Sequence, residues 1–564
     1  MQDMWNEVTK EHRHLHPECD GDLYWPEDLE ERRGFVWAEH AKCNVCTYTS
    51  KKYKLYEEVE RTGPGRRAAS VNVAVAAALT TTRAGPDDMR RIMLASNTPV
   101  PCTSTMQEHT EHLAEPVIEA AEQDMSEKRD IVKTVMIKRG QGTTEGQFEI
   151  AGEGDGVFNN RQGARDTPGQ SGTQVSYINV ENVTQNKFAI AHTHKNQLCH
   201  IGSRDNLDCP NHPGCTANLS REHTIGDEES WAKECLEDLL KDNIAITHMT
   251  TDGDSGAHRA ANKLHEKGEY KSKPSAYLDT RHLASTHRTK IRNAKFSKDF
   301  FPGRLKADKD YAQKHFSNDL AKRCEIEYSL CFHKHSGNMR LIKSDLSHTK
   351  YAILKCYQGD HSDCKLHSMA CKGRRNANWI KTSAYIDADF RLNVGDLQVN
   401  ATDHDSTLLM QLIDFRISGK MLDKQALKSN TQAVEAYNHT QRSCNPQGKT
   451  FSRHSHLRSK VAIIKANNGA PATIHKLCKQ LGSPIVPGSS VAKSLLSMEK
   501  YEKRQKDYKK TGKAKASRIR AIARAYRVHA RVKQSKVAKS TLYKKGLLLP
   551  KIKCLTDHTY FKCM

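Results

Sequence analysis

The chain has 564 residues, enough for two to four domains and a sizeable buried core. A formal net charge of +23, with 27% charged and only 6% aromatic residues, points to a polyanionic partner, either nucleic acid or an acidic membrane surface. No apolar run approaches the roughly 20 residues needed to span a bilayer, and the first residues (MQDMWNEVTKEHRHLH) lack a signal-peptide core, so a soluble intracellular protein is expected.

Seventeen cysteines in such a chain are not expected to form a disulfide framework, because the cytosol and nucleus keep thiols reduced. Many stand two or three residues from another Cys or a His, a spacing that suits zinc. The first fifty residues carry His14, His16 and Cys19, then Cys43 and Cys46. His16 and Cys19 share the two-residue gap of Cys43 and Cys46, and two such knuckles close a tetrahedral zinc site on a small ribbon. The choice of histidine stays open, and the competing reading is a reduced thiol pair. This predicts a zinc ribbon-like module over residues 1–62.

A Gly-Pro-Gly break at Gly63 to Gly65 ends that module. Ser70 to Thr82 reads as a short helix, Gly85-Pro86-Asp87 starts another that reaches Ala95, and Ser104 is a plausible N-cap for a long helix through Lys138. Residues 63–138 are thus helical. A helix-turn-helix that reads DNA and a plain packing bundle fit them equally.

Gln147 to Ile150 reads as a short strand, followed by a glycine-rich turn that holds Asp155. Gln174 to Val180 and Lys187 to Thr193 continue as a β-meander. In LCHIGSRDNLDCPNHPGCTA, Cys209, His212 and Cys215 are spaced by two residues each, and Cys199 or His200 supplies a fourth zinc ligand. Asp227 to Lys241 is an amphipathic helix with acids in its first turn. It leads into Ile244 to Ser255 (IAITHMTTDGDS), a β-branched strand whose end carries Asp252 and Asp254 around Gly253. Carboxylates at the tip of a buried strand suit a hard cation such as Mg²⁺; an ordinary strand-ending turn is the plainer reading.

Beyond Ser255 the chain is helical and polar. Cys356, His361, Cys364, His367 and Cys371 then fall within sixteen residues, the densest ligand cluster, read as a structural zinc staple. Asn430 to Asn438 places Glu435 on a helix with Asn438 one turn away. Lys500 to Lys545 holds eighteen Lys and Arg with interspersed tyrosines, suited to tracking phosphates or to nuclear import. Lys513, Lys515, Arg518, Arg520, Arg524, Arg527 and Arg531 are its candidate DNA contacts.

Taken together, the DG-FNN turn at Asp155, the THMTTDGDS strand end at Asp252 and the NTQAVEAYN helix at Glu435 resemble the DDE core of the Mutator-like transposase family. The CPNHPGC, GDHSDC and RTGPGRR segments resemble those of its animal members, and the likeness runs from about Tyr48 to about Gly482. It implies an α/β, ribonuclease H-like mixed sheet over residues 139–482, with a helical insertion at about 285–425 and a basic helical tail over 483–564. The first acid would lie on the first strand, the second on the fourth, and the glutamate on a late helix. The family's Cys-x-x-His pair reads Asp279-Thr-Arg-His282 here, so only His282 carries over.

The resemblance implies a nuclear DNA transposase with Asp155, Asp252 and Glu435 as ligands for Mg²⁺ or Mn²⁺, supported by Asp254, His282 and Asn438. Two divalent ions among three carboxylates activate an attacking oxygen and stabilise a leaving one at phosphorus. Double-stranded DNA, as transposon end and as target, is the expected partner, and holding two ends calls for a homo-oligomer. A domesticated, zinc-containing DNA-binding protein without cleavage activity is the alternative. A catalytic-zinc hydrolase fits less well, because sulfur-rich clusters are closed whereas catalytic zinc keeps an open position.

Overall fold

The computed structural model describes residues 2–59, 67–98, 100–142, 146–159, 172–201, 212, 215–253, 255–301, 306–371, 401–525 and 528. Two compact units emerge, Met1–Asp279 with Lys428–Tyr501, and Thr280–Leu427 with Glu502–Met564. Among the described residues no helix is long and apolar enough to cross a membrane.

The first unit opens with helix α1 (Gln2–Leu15) and short strands β1 (Leu23–Tyr24), β2 (Glu31–Arg33), β3 (Val36–Glu39), β4 (Lys42–Cys43) and β5 (Tyr53–Lys54). β1 pairs with β4, and β2, β3 and β5 form a small sheet, all antiparallel. Helices α2 (Ser70–Thr80), α3 (Pro86–Ala95), α4 (Thr103–His112) and α5 (Ala114–Lys138) follow. The expected single helix from Ser104 to Lys138 is broken at Leu113, a buried residue that ends α4 and precedes α5.

The main sheet holds β6 (Phe148–Phe158), β7 (Gln174–Glu181), β8 (Ala189–Asn196), β9 (Ile244–Thr251) and β10 (Ser275–Leu278) in the order β10-β9-β6-β7-β8. β7 pairs antiparallel with β6 and β8, whereas β9 lies parallel to both β6 and β10. α6 (Glu228–Lys241) and α7 (Gly256–Glu266) flank β9 in sequence. Asp227 caps α6, its side chain accepting from the Ser230 N–H at 3.2 Å.

Strand β6 differs from expectation. The short strand runs on through Gly152, Gly154 and Gly156, where a turn was expected. Glycine there serves close approach: a Cβ on Gly154 would stand 2.5 Å from the Tyr177 hydroxyl and 2.9 Å from Asn179 Nδ2.

Two apolar layers enclose this sheet. Ile150, Ile246 and Met249 pack with Trp231, Leu236 and Leu239 of α6 and Ala260 and Leu264 of α7. Ile178, Val180 and Ala189 pack with α2 and α5 and with α14 (Gln432–Cys444), α15 (Ser455–Asn468) and α16 (Ala470–Gln480). Burying such side chains contributes roughly 1.5–3 kcal/mol each, which is what fixes the sheet between its helices.

The second unit is helical: α8 (Thr280–Asn293), α9 (Lys306–Lys334), α10 (Met339–Tyr357), α11 (Cys364–His367), α12 (Asp403–Ile417) and α13 (Gly419–Asp423). Phe300, Phe316, Ile353, Tyr357, Leu409 and Ile413 form its core. A buried ion pair, Arg323 to Glu327 at 2.9 Å, anchors the loop after α11: Ser368 bonds both side chains, and Glu327 accepts from the Met369 and Ala370 N–H groups. Helix α17 (Ser490–Lys510) is followed by helical residues 512–525.

Candidate active site

β6 and β9 are parallel neighbours that carry the first two expected acids towards the same end of the sheet. Their ladder runs as far as Glu153 of β6 with Thr250 of β9, and Asp155 and Asp252 each follow two residues further on. β10 adds another acid. Thr251 pairs with Leu278, and the Asp279 N–H continues the ladder onto the Thr251 carbonyl at 2.9 Å. Asp155 lies within β6, whereas Asp252 and Asp279 each directly follow the last residue of their strand. Gly253, with φ of +124°, lets the chain leave β9 at once after Asp252.

Helix α14 is docked onto the sheet through its own N-terminus. Buried Glu153 accepts from the Ala433 and Val434 N–H groups at 3.0 and 3.2 Å, and Lys187 Nζ lies 3.1 Å from its other oxygen. Buried Asp279 accepts from the Thr431 N–H and hydroxyl at 2.9 and 2.7 Å. Two carboxylates thus satisfy the N–H groups that begin the helix and meet its positive dipole end. Asn438, one turn beyond Glu435, donates from Nδ2 to Asp155 Oδ2 at 2.8 Å, while Asp155 Oδ1 accepts from the Gly156 N–H at 2.9 Å. Glu435 is exposed, and one of its oxygens lies within 4.8 Å of an Asp279 oxygen. Among the described residues neither Asp155 nor Asp252 belongs to a group of three ligand atoms within 4.8 Å of one another; carboxylate oxygens as such suit Mg²⁺ or Mn²⁺.

The cysteine clusters have a different chemistry. Zinc–sulfur legs of about 2.3 Å give tetrahedral edges of roughly 3.5–3.8 Å between ligand atoms. In the N-terminal module Cys19 and Cys43 sulfurs are 3.7 Å apart, and His12 Nε2 is 3.3 Å from Cys46 Sγ. His12 completes this set, where the spacing had favoured His16. α1 turns Val8 and His12, one helical turn apart, into the module, and His16 lies beyond the helix end. In the second unit Cys356, His361, Cys364 and Cys371 converge, with His361 Nδ1 3.4 Å from both Cys356 and Cys371 sulfurs. Cys199 Sγ is 3.2 Å from His212 Nε2, and Cys215 joins them. All three sets fit structural zinc by donor type and spacing.

A profile of the Mutator-like transposase family matches residues 1–371. The chain belongs to that family. No curated protein and no solved structure matches it.

In this Mutator-like chain Asp254, Cys209, Arg527 and Arg531 lie outside the described residues. His282 is exposed on α8. Lys513, Lys515, Arg518, Arg520 and Arg524 are exposed on the helical stretch 512–525. Sequence reasoning missed Glu153 and the role of Asp279. Glu153 stands two residues before Asp155 on the same strand face, a signal visible once the strand is extended through its glycines.

Proposed function

We propose that this Mutator-like chain is a DNA transposase that cuts transposon ends and joins them to target DNA, with Asp155, Asp252 and Glu435 holding Mg²⁺ or Mn²⁺. What supports the reading is the 2.8 Å hydrogen bond from Asn438 to Asp155, which ties the helix bearing Glu435 to β6, the parallel neighbour of the strand that ends just before Asp252. The sheet supports a ribonuclease H-like fold: numbered from β6, its order is 3-2-1-4-5, with three antiparallel strands first and two parallel ones after. On this reading residues 139–482 are the catalytic domain, interrupted by a helical insertion at about 285–425. The separate compactness of Thr280–Leu427 supports that division.

When bound, the divalent ions supply Lewis-acid stabilisation of phosphate oxygens and activation of the attacking one. The chain's own residues do the rest. Asn438 and the Gly156 N–H each engage one Asp155 oxygen and fix the carboxylate plane. Glu153 and Asp279 hold the N-terminus of α14, which sets where Glu435 projects. Asp254 is a reserve ligand and His282 a neighbour in sequence to the site. The basic stretch 512–525 tracks duplex phosphates, and the protein works in the nucleus as an oligomer that holds two ends.

The test is nicking of supercoiled plasmid DNA by the full chain with Mg²⁺ or Mn²⁺, comparing wild type with Asp252→Asn and Glu435→Gln. Metal-dependent nicking by wild type alone is expected, with both variants reduced to background. DNA binding by all three without any nicking would favour the domesticated binding protein.

A further inference from the structure

A fourth group of unlike metal donors stands in the second unit, away from the clusters the cysteine spacing singled out. Cys331 lies in the last turns of α9, and His335 follows four residues later, on the same helical face. The helix then stops. The His335 N–H still bonds the Cys331 carbonyl, the Gly337 N–H reaches back to the Phe332 carbonyl, and Ser336 and Gly337 take left-handed φ values of +49° and +83°. Asn338 caps the next helix, its side chain accepting from the Arg340 and Leu341 N–H groups. This reversal returns the chain so that Asp345, on the second turn of α10, faces the Cys331–His335 pair. His335 Nε2 is 2.7 Å from Asp345 Oδ2, and the ligand atoms of all three residues lie within 4.8 Å of one another.

We propose that Cys331, His335 and Asp345 bind a divalent cation of the zinc class, clamping the turn end of the α9–α10 hairpin. One thiolate, one imidazole and one carboxylate are borderline-soft donors of the kind zinc selects, and three protein ligands leave the fourth tetrahedral position to water. The thiol is buried beside Tyr328, Ile342, Leu346 and Leu422, and its hydrogen-bond acceptor, the Ile342 carbonyl, is distant at 3.9 Å. Lys334 Nζ shares Asp345 Oδ2 at 2.7 Å, but its side chain is 55% exposed and swings into water when a dication takes that oxygen. The other end of α10 meets the Cys356 cluster, so the hairpin carries a metal staple at each end.

The test is zinc content per chain after loading the full protein with Zn²⁺ and desalting it. Asp345→Asn and Cys331→Ser are each expected to hold one zinc fewer than wild type, while Lys334→Ala, which removes the ion pair and no ligand, keeps the wild-type count. Asp345→Asn is partly exposed and near-isosteric, so it decides the matter even where Cys331→Ser fails to fold. A wild-type zinc count in Asp345→Asn overturns the proposal, and so does loss of zinc in Lys334→Ala.

Discussion

Single residues decide how closely the strands of the site approach. Gly154 adjoins Asp155, and its missing side chain is the space taken by the buried Tyr177 and Asn179. Gly156, on the other side of Asp155, has its nearest neighbour, Glu228 Oε1, at 3.4 Å from a built Cβ. Gly154→Ala is therefore expected to lose about 1–3 kcal/mol to overpacking, whereas Gly156→Ala stays within about 1 kcal/mol of wild type. Urea unfolding of the two variants measures both; equal stabilities would remove the close-approach explanation. At the same scale, the strand that ends before Asp252 and the helix that carries Glu435 were legible from sequence, because their signals are local. Asp279 was read only as a lost cysteine. Its role as an anchor for Thr431 depends on a residue far along the chain, which no local pattern reveals.

Elements were legible where one periodicity ruled. The α6 amphipathic pattern and the β-branched run of β9 correspond to Glu228–Lys241 and Ile244–Thr251. They failed where a local propensity was overruled by packing. The glycines of β6 signal a turn by propensity, yet tertiary contacts hold them in a strand eleven residues long. The break at Leu113 was hidden because both α4 and α5 are good helix sequences and a buried apolar residue carries no stop signal. For zinc ligands, cysteine spacing located three clusters, since a knuckle is a local object. Histidine choice in the first cluster was a question of helical phase, which Val8 and His12 settle together. The Cys331 group escaped notice because its carboxylate comes from the next helix across a chain reversal.

Over the whole molecule, several histidines are buried as neutral rings. Burial holds His192 and His194 well below the ordinary imidazole range, and brings His454, in the first unit, and His287, in the second, down to about 4. His287 keeps its proton partner, the Leu412 carbonyl, at 2.7 Å. In the unfolded chain these rings protonate near pH 6.5, so the unfolded state binds more protons below that value. Their stabilising effect is complete above about pH 6.5 and is lost as pH falls toward 4, by about 1.4 kcal/mol per pH unit for each ring. Melting temperature in metal-free buffer is expected to be level from pH 7 to 8 and to drop steeply between pH 6 and 4.5. A flat profile there would contradict the burial of these rings.

The central claim, that Asp155, Asp252 and Glu435 form one oxygen-donor cation site, is tested most directly by Mn²⁺ binding to the zinc-loaded full chain, followed by electron paramagnetic resonance without DNA or turnover. Wild type is expected to take up Mn²⁺, and Asp155→Asn, Asp252→Asn and Glu435→Gln are each expected to weaken that uptake while keeping native circular dichroism. Equal Mn²⁺ uptake by the folded variants and wild type would contradict it.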